Sequence, residues 1–335
     1  MRKSHMSGRD ARRDHENSSI IRKHSYRDRM GSTIRFFLLV GCGAVFLNLA
    51  ACQTQENDKN KSVSTFDAQA HRGGRGLMPE NTIASEKNAI DFDCTLEMDL
   101  QMSKDGQIVV SHDSYFSSDF CLTPEGKEMT KKDGQSRLLF NMDYDSIVKY
   151  DVGLKPHPDF PRQKKIAAIR PLLSVLIDSV EAYAKTKNHI NHYNIEIKSS
   201  PKADGKNYTD LASYVKAALS IIEAKGIANR TMIQSFDIRA LKMVHQQYPK
   251  IATSYLVGNK NVNTATGYLD TLGFVPTIFS PDYHIVTPDM VKAFHDKGVK
   301  VIVWTPNTLE EISNLKKMGV DGVITDYPDL FKQLQ

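Results

Sequence analysis

Acidic residues occupy alternate positions in two short apolar segments of the sequence. In TLEMDL, Glu97 and Asp99 share one face of a predicted strand, and the apolar side chains share the other face. The two carboxylates are then about 6.6 Å apart along the strand, at roughly 3.3 Å per residue. The segment NIEIK repeats this alternation around Glu196. Converging buried carboxylates need a counter-charge, and ligation by oxygen alone favours a hard cation, Mg²⁺ or Ca²⁺, over zinc.

Both segments also allow a simpler interpretation without a metal ion. Glu97 and Asp99 fit a solvated or salt-bridged strand face. Lys198 lies two positions after Glu196, on the same face, where it can pair with that carboxylate. The repetition of the pattern in two separate segments favours the cation over these alternatives.

Two histidines stand at the ends of predicted strands, where they can transfer protons. His71 and Arg72 precede a glycine-rich loop, and His112 with Asp113 ends the segment QIVVSHD. We expect both imidazoles at the same rim as the carboxylates, where their titration near neutrality suits an acid and a base. The Arg72 guanidinium matches the oxygens of a phosphate group. A structural role is the alternative for either histidine alone, and their pairing at one rim favours catalysis.

The segments that carry these residues belong to an alternation of strands and helices from Ala68 onward. Short apolar runs alternate with stretches of helical periodicity, which indicates strand and helix repeats around a parallel sheet. About eight such units in roughly 270 residues fit a single (β/α)8 barrel of the α/β class better than an open doubly wound sheet. The predicted strands are DAQAHR, TLEMDLQM, QIVVSH, HYNIEIK, RTMIQSF, IATSYLV, TIFSP, VKVIVWT and GVITD, and the predicted helices are Thr82 to Asp91, Leu172 to Lys185, Asp210 to Ala224, Ile238 to Gln247, Pro288 to Lys297 and Leu309 to Met318.

Two parts of the chain break this rhythm. Residues 114–170 are rich in turn residues and lack a long periodicity, so we interpret them as an insertion after the third strand segment. Long loops at one face of a barrel often cover the active site, and a surface excursion is the alternative. Residues 52–66 are polar and are predicted to form a flexible tether before a catalytic domain at residues 67–335.

The N-terminal segment is typical of an exported protein. Residues 1–35 contain ten Lys or Arg and four Asp or Glu residues, and an uncharged apolar run follows from Phe36 to Cys52. A spanning helix needs about 20 apolar residues, so residues 1–51 are predicted to be a signal peptide rather than an anchor helix. Its removal leaves 34 of the 44 basic residues and 35 of the 39 acidic residues. The near-neutral remainder argues against nucleic-acid binding, which needs a basic face.

The segment LAAC at residues 49–52 resembles the bacterial lipobox, in which cleavage precedes a cysteine that carries lipids. The resemblance implies lipidation of Cys52 and membrane anchoring by this N-terminal lipid, since several acyl groups on one residue anchor firmly. Gln53 after the cysteine fits sorting to the periplasmic face of the outer membrane. An ordinary signal-peptide cysteine is the alternative. Export also permits a disulfide between Cys94 and Cys121, although we expect these two at opposite ends of neighbouring strands.

Five motifs together resemble the glycerophosphodiester phosphodiesterase family. HRGGRGLMPENT, LEMDLQMSKDGQIVVSHD, NIEIK, VKVIVWTPN and MGVDGVITDYPD follow in the family's order over residues 70–328. The resemblance implies a (β/α)8 barrel and one divalent cation, Ca²⁺ or Mg²⁺. Ser103, Glu86 and Phe92 depart from the family pattern, and none of them is an expected ligand. The residues that the resemblance assigns are Glu97, Asp99 and Glu196 as metal ligands, His71 and His112 as catalytic residues, and Arg72, Lys198 and Trp304 as substrate contacts.

The resemblance also implies an activity, the hydrolysis of glycerophosphodiesters such as glycerophosphocholine or glycerophosphoethanolamine to glycerol 3-phosphate and an alcohol. A non-catalytic surface-binding lipoprotein is one alternative, but it predicts a damaged ligand set, and every expected ligand is present. A lysophospholipase D-like activity on lipids is the other alternative. That activity predicts an apolar rim on the insertion, built from Phe116, Phe120, Leu138, Leu139 and Phe140.

Three further details of the motifs have more than one interpretation. Trp304, the only tryptophan, ends the run VIVW and fits a pocket floor or a core position equally well. The segments SFD at 235–237 and TDYP at 325–328 are interpreted mainly as capping and turn elements. Of the two histidines, His71 is favoured as the base and His112 as the acid, and the reverse assignment is the alternative.

Overall fold

The computed structural model describes residues 66–260 and 262–334 of the chain. The predicted signal peptide, the lipidation site at Cys52 and residues 52–65 of the tether lie outside the described residues. Among the helices at the described positions, none combines the length and the apolar character that a membrane-spanning segment requires.

The sheet is a closed barrel. Its strands are Asp67–Ala70 (β1), Thr95–Met102 (β2), Ile108–Val110 (β3), Tyr193–Ile197 (β4), Thr231–Ser235 (β5), Ala252–Val257 (β6), Ile278–Pro281 (β7), Lys300–Trp304 (β8) and Gly322–Thr325 (β9). Parallel pairing passes from β1 to β9, then strand by strand back to β4 and β2, and β2 pairs with β1. This closed ring of eight parallel strands confirms the predicted (β/α)8 barrel.

Strand β3 differs from the prediction. Its segment was predicted to end at the carboxyl rim like the other strands, but β3 runs antiparallel to β2 and pairs Val110 with Leu100. Only residues 103–107 separate the two strands, and a parallel crossover needs a dozen or more. A tight turn at Gly106, where φ is +75°, joins them instead. The chain therefore returns toward the middle of β2 instead of ending at the rim as a barrel strand does.

Six of the longer helices follow the predicted segments closely. A further helix, Ala265–Leu272, was not predicted. It contains Thr266, Gly267 and Thr271, and both residue types have low helix propensity. The Thr264 side chain caps this helix by accepting a hydrogen bond from the Gly267 N–H. The α-helices are Ile83–Asp91 (α1), Lys131–Ser136 (α2), Tyr144–Ile147 (α3), Leu173–Lys187 (α4), Leu211–Ala224 (α5), Ile238–Gln247 (α6), Ala265–Leu272 (α7), Pro288–His295 (α8) and Leu309–Met318 (α9), and short 3-10 helices span His71–Gly73, Leu139–Asn141, Ala228–Arg230, Tyr283–Ile285 and Pro328–Gln333.

Side chains alternate along the barrel strands between an apolar exterior and a polar interior. Leu96, Met98 and Leu100 of β2 are fully buried in one apolar cluster with side chains of α1, α4 and α5. Glu97 and Asp99 of the same strand face the interior and are also buried. The alternation of apolar and polar residues in the sequence therefore corresponds to side chains that face the apolar core and side chains that face the polar interior of the barrel.

Residues 114–170, all of which the structure describes, add no strand to the barrel. They pack around an apolar cluster of their own, in which Phe116 and Leu139 are fully buried and Phe120 is nearly so. Leu138 and Phe140 are partly buried. The apolar rim predicted from these residues is therefore not formed. Cys94 and Cys121 are buried free thiols, so the disulfide alternative is also wrong.

Candidate active site

A cavity of about 250 Å³ opens at the carboxyl end of the barrel. Loops after β1, β4, β5 and β8 contribute to its wall, because the carboxyl ends of parallel strands meet at this face. Of the residues singled out in the sequence, the cavity is lined by His71, Arg72, Glu97, His112, Glu196, Lys198 and Trp304. Asp99 lies directly beside them, in a cluster with Glu97 and Glu196.

Strand register brings the three carboxylates together. In the parallel pair of β2 and β4, Asp99 is the direct partner of Glu196, and Glu97 precedes Asp99 by two residues on the same face. One oxygen from each of the three side chains lies within 4.8 Å of the other two. All three residues are buried. The convergence expected from the sequence is therefore observed.

The charge balance of this cluster fits a bound cation. Burial, together with the charge of Asp99, raises the pKa of Glu97 well above its usual range. Lys198 Nζ lies 2.9 Å from Glu196 Oε2 and 3.2 Å from Asp99 Oδ1, so one ammonium group faces two of the three acids. The donor set consists only of carboxylate oxygens, which suits a hard divalent cation such as Mg²⁺ or Ca²⁺.

Both oxygens of Glu97 accept hydrogen bonds from protein donors. The Arg72 backbone N–H donates to Oε2 at 2.7 Å, and Gln234 Nε2 donates to Oε1 at 2.7 Å. The Gln234 amide oxygen in turn accepts from Asn194 Nδ2, which also donates to Gln69 Oε1. We call these three side chains, Gln69, Asn194 and Gln234, the amide chain. Such partners behind a ligand fix its orientation.

The PEN segment of the first motif holds charged residues of the site in place. Arg72 Nη1 donates to both carboxylate oxygens of Glu80 at 3.0 Å, and Arg72 Nε lies 3.3 Å from Asp99 Oδ2. Asn81 Nδ2 donates to Asp99 Oδ2 at 2.9 Å, and Asn81 Oδ1 accepts from the Asp99 N–H. The guanidinium expected to contact phosphate is thus held by buried carboxylates, and its positive charge is fixed at the cavity wall.

His71 is oriented by a residue that the sequence analysis interpreted as part of a turn. Asp326, in the TDYP segment, has Oδ1 at 2.6 Å from His71 Nδ1, and it also contacts Arg75 Nε at 2.7 Å and Asn307 Nδ2 at 2.7 Å. Burial would raise the pKa of Asp326, but its contacts with His71 and Arg75 hold it far below the usual range. Asp326 is therefore ionised and can only accept a hydrogen bond.

Burial also lowers the pKa of His71 from 6.5 to about 4, although Asp326 opposes the shift. The imidazole is therefore neutral at pH 7. Because Asp326 can only accept, Nδ1 of His71 carries the proton and donates it to the carboxylate. The lone pair of Nε2 is then free, which is the state that a general base requires.

His112 reaches the cavity by the antiparallel return of β3. The Ser111 N–H donates to the Asp99 carbonyl, and Gln101 Nε2 donates to the His112 carbonyl, so the end of β3 is fastened to β2. His112 Nδ1 lies 2.8 Å from Asp113 Oδ1, and the side chain is 32% exposed. His112 lies beside the carboxylates as predicted. It was expected to follow a parallel barrel strand, however, and it follows an antiparallel one.

The opposite wall of the cavity is apolar. The Trp304 ring is partly exposed in the cavity and meets the Phe236 ring edge-on at 5.6 Å, and its indole N–H donates to the Ser280 carbonyl. The pocket interpretation of Trp304 is therefore favoured over a core position. Within SFD, Asp237 caps α6 as predicted, whereas Phe236 lines the cavity, which the capping interpretation missed.

A comparison with models of known protein families shows the family to which this chain belongs. Residues 71–330 match the model of the glycerophosphoryl diester phosphodiesterase family. The chain belongs to this family. A glycerophosphodiester phosphodiesterase of Bacillus subtilis (strain 168) is 30% identical over 271 residues, which cover 79% of this chain and 85% of that protein. The family resemblance read from the motifs is thereby confirmed, and the protein is a phosphodiesterase of this family.

Solved structures agree on the fold. A proposed glycerophosphoryl diester phosphodiesterase from Silicibacter pomeroyi DSS-3 superimposes with a TM-score of 0.73 at 28% identity, over 81% of this chain and 93% of that chain. An Oleispira antarctica phosphodiesterase, whose structure contains the product sn-glycerol-3-phosphate, superimposes with a TM-score of 0.63 at 22% identity, over 80% and 96% of the two chains. The barrel is therefore shared with other family members.

The side chains of the site that the sequence did not reveal include Asp326, Arg75 and Gln234. Asp326 and His71 are 255 positions apart, and Gln234 and Glu97 are 137 positions apart. One signal was available, since Asn194 and Gln234 each alternate with a neighbouring apolar residue, Ile195 or Ile233, in a predicted strand. Such positions face a barrel lumen more readily than a core.

Proposed function

We propose that this phosphodiesterase hydrolyses water-soluble glycerophosphodiesters, such as glycerophosphocholine or glycerophosphoethanolamine, to glycerol 3-phosphate and an alcohol. The observation that carries the proposal is the cluster of Glu97, Asp99 and Glu196 in one cavity wall with two imidazoles. These three residues would hold one Mg²⁺ or Ca²⁺ ion, which when bound would offset charge on the phosphoryl oxygens. The product seen in the Oleispira antarctica phosphodiesterase supports glycerol 3-phosphate as one product.

Side chains of the cavity would stabilise the charge on the phosphate and transfer the protons of the reaction. Arg72 and Lys198 place fixed positive charge at the cavity wall, where negative charge develops on the phosphate during the reaction. His71 Nε2 takes the proton of the nucleophile, either a water molecule or the neighbouring glycerol hydroxyl. His112 is more exposed and gives a proton to the departing alkoxide. Asp326 keeps the tautomer of His71 that leaves Nε2 unprotonated.

Two features disfavour the lysolipid and binding-only alternatives. Phe116, Phe120 and Leu139, three of the five residues that would give the insertion an apolar rim, are buried in its own core, so they offer no surface to an acyl chain. The site also retains every expected ligand and both histidines, whereas a binding-only lipoprotein would be free to lose them. The small cavity of about 250 Å³ suits a soluble diester.

We also propose that the protein is exported and anchored through lipid on Cys52 at the periplasmic face of the outer membrane. The support is the basic segment, the apolar run and the LAAC sequence, with Gln53 after the cysteine. Wild-type cells grown with labelled fatty acid should incorporate the label into this protein, and Cys52→Ala should abolish the incorporation. Equal labelling of the wild type and Cys52→Ala would contradict the lipid anchor.

The activity is tested by incubating the purified protein with glycerophosphocholine and, separately, with lysophosphatidylcholine, with and without a chelator. Chelation and Glu97→Gln should each lower turnover of the soluble diester by at least about 100-fold, because charge stabilisation by a cation supplies several kcal/mol. Glu310→Gln changes an exposed glutamate of α9 and serves as the control. Full turnover after chelation would contradict the metal site, and a preference for lysophosphatidylcholine would contradict the substrate class.

A further inference from the structure

One segment of the insertion crosses the loop that follows β1. Residues 160–166, which we call the strap, contact this loop through two hydrogen bonds. Gln163 Nε2 donates to the Arg75 carbonyl at 2.8 Å, and the Lys164 N–H donates to the Leu77 carbonyl at 2.9 Å. Arg162 contacts Asp329 at 2.5 Å, so the strap is also fastened to the chain beyond β9. The strap therefore joins the two loops that carry His71 and Asp326.

The side chain that the strap covers is Arg75. Its guanidinium carbon lies 4.7 Å from the centre of the Phe160 ring, close enough for a cation–π contact. On its other side, Arg75 Nε donates to Asp326 Oδ1 at 2.7 Å, and Nη1 lies 3.7 Å from Glu80 Oε2. The side chain is 22% exposed and lines the cavity. Arg75 is thus held between a ring of the insertion and two buried carboxylates.

The oxygen that Arg75 contacts is the same one that His71 contacts. Asp326 Oδ1 accepts from both His71 Nδ1 and Arg75 Nε, while Asp326 Oδ2 accepts from Asn307 Nδ2. A carboxylate with three donors in fixed directions has little freedom to rotate. Removal of Arg75 leaves Oδ1 with His71 alone, and the imidazole loses part of its support.

We propose that Arg75 is a positioning residue for His71 and that the strap, through Phe160 and Gln163, holds Arg75 in place. The proposal rests on the proposed role of His71 as the base. It gives residues 114–170 a function in the reaction, which is to brace the loop that carries the base. Arg75 acts through Asp326 and does not itself contact the reacting atoms.

The kinetic test separates positioning from direct binding of the substrate phosphate. In the full-length enzyme, Arg75→Ala should lower kcat roughly 10- to 100-fold, because small displacements of a catalytic group have costs of this size. KM should stay within about twofold, since no phosphate contact is lost. Arg75→Lys should restore only part of kcat, because a compact ammonium lacks the fork that guanidinium provides. A rise in KM with unchanged kcat would instead identify Arg75 as a phosphate contact and overturn the proposal.

A second variant tests the strap without changing the cavity wall. Phe160→Leu keeps an apolar side chain but removes the ring face under Arg75, so kcat should fall in the same direction by a smaller factor. Arg137→Ala removes another arginine of the insertion, one that contacts Tyr150 and lies away from the strap, and should leave kcat unchanged. An unchanged kcat in Phe160→Leu would overturn the role of the strap.

A spectroscopic readout makes the test independent of turnover. With ¹⁵N-labelled histidine, free wild-type enzyme should show a protected proton on His71 Nδ1, and Arg75→Ala should lose that protection while its circular dichroism stays native. Retention of the protected proton in Arg75→Ala would overturn the proposal. If the wild type shows the proton but does not cleave the diester, the proposed function fails and the positioning by Arg75 stands.

Discussion

The cavity has two walls that differ in how their side chains are held. On the charged wall, buried Glu97 has a protein donor on each oxygen, and Arg72 is bound to both oxygens of Glu80. On the apolar wall, Phe236 is 47% exposed, and its described ring contact is the edge-on packing with Trp304. The charged wall is therefore fixed before any substrate arrives, whereas exposed Phe236 on the apolar wall has no polar contact that holds it in the part of the chain that the structure describes, and it is free to adjust.

Desolvation explains this difference. A buried carboxylate or guanidinium without partners costs several kcal/mol, so each one on the charged wall must be paired or hydrogen-bonded. The same pairing provides the preorganised charge that stabilises a transition state. An apolar side chain carries no such requirement. We therefore expect substitutions on the charged wall to affect the rate strongly and substitutions on the apolar wall to affect binding weakly.

The largest expected effect comes from the proposed acid. His112→Ala removes the side chain that protonates the departing alkoxide, and kcat should fall by about 10²- to 10⁴-fold, the usual contribution of such a group. His245→Ala is the matched control, since His245 is exposed on α6 and stacks on Phe274. Steady-state kinetics with glycerophosphocholine measure both variants. A loss of less than tenfold in His112→Ala would assign the acid to another group.

The next effect concerns metal affinity. Gln234→Leu removes the amide that donates to Glu97 Oε1, and the affinity for Mg²⁺ or Ca²⁺ should fall by roughly 10- to 100-fold, as for other residues that orient ligands. Ser254→Ala is the control. Ser254 is the β6 partner of Gln234, and its buried hydroxyl makes no hydrogen bond within the described part of the chain. Isothermal titration calorimetry that finds equal affinity in all three proteins would contradict the role of the amide chain.

The comparison of the walls also shows what the sequence could predict. Glu97, Asp99 and Glu196 were found because strand alternation is local, and because strands that neighbour each other in a parallel sheet place like positions side by side. Residues that only support them were not found, since the Asp326 contact with His71 depends on how the last barrel strand closes against the first. Helix and strand propensities and hydrophobic periodicity do not indicate which residues of two such distant strands lie side by side.

His112 was predicted in the right place but on a strand of the wrong direction. Its place beside the carboxylates was predicted from the pattern of strand ends, but β3 is antiparallel and belongs to a hairpin. The signal was present, because Asp105-Gly106 between two apolar runs is a turn sequence. The short spacing of residues 103–107 also leaves no room for a crossover helix. The length of the connecting loop, and not the pattern at the strand end, therefore indicates the direction of β3.

Two buried glutamates behind the charged wall differ in whether their carboxylates have partners. Glu80 is paired with Arg72, whereas both oxygens of fully buried Glu86 lack a hydrogen-bond partner among the described residues. Burial, with the charges of Glu97 and Asp99, raises the pKa of Glu86 well above 4.5. Glu86→Met should stabilise the fold by roughly 1–3 kcal/mol at neutral pH, because it removes an unsatisfied buried group.

The pH dependence of this stabilisation has a definite sign. Below pH 4.5 the carboxyl is protonated in both folded and unfolded chains, and no stability is lost. As the pH rises above 4.5, the unfolded chain ionises first, so Glu86 makes the wild type progressively less stable relative to Glu86→Met. Urea unfolding in chelator should therefore show a larger advantage of the variant at pH 8 than at pH 5. A constant or reversed difference would indicate that Glu86 is charged in the folded protein.

The smallest effect is expected on the apolar wall. Phe236→Leu keeps an apolar surface but replaces the ring that lines the cavity, and the apolar contact area that the substrate then loses is worth about 1 kcal/mol. KM for glycerophosphocholine should rise only about threefold to tenfold, the equivalent of that energy, and kcat should stay unchanged. Phe274→Leu, which alters a ring stacked on His245 outside the cavity, is the control. A large fall in kcat for Phe236→Leu would mean that the apolar wall also positions the reacting groups, and the division between a fixed charged wall and an adjustable apolar wall would be wrong.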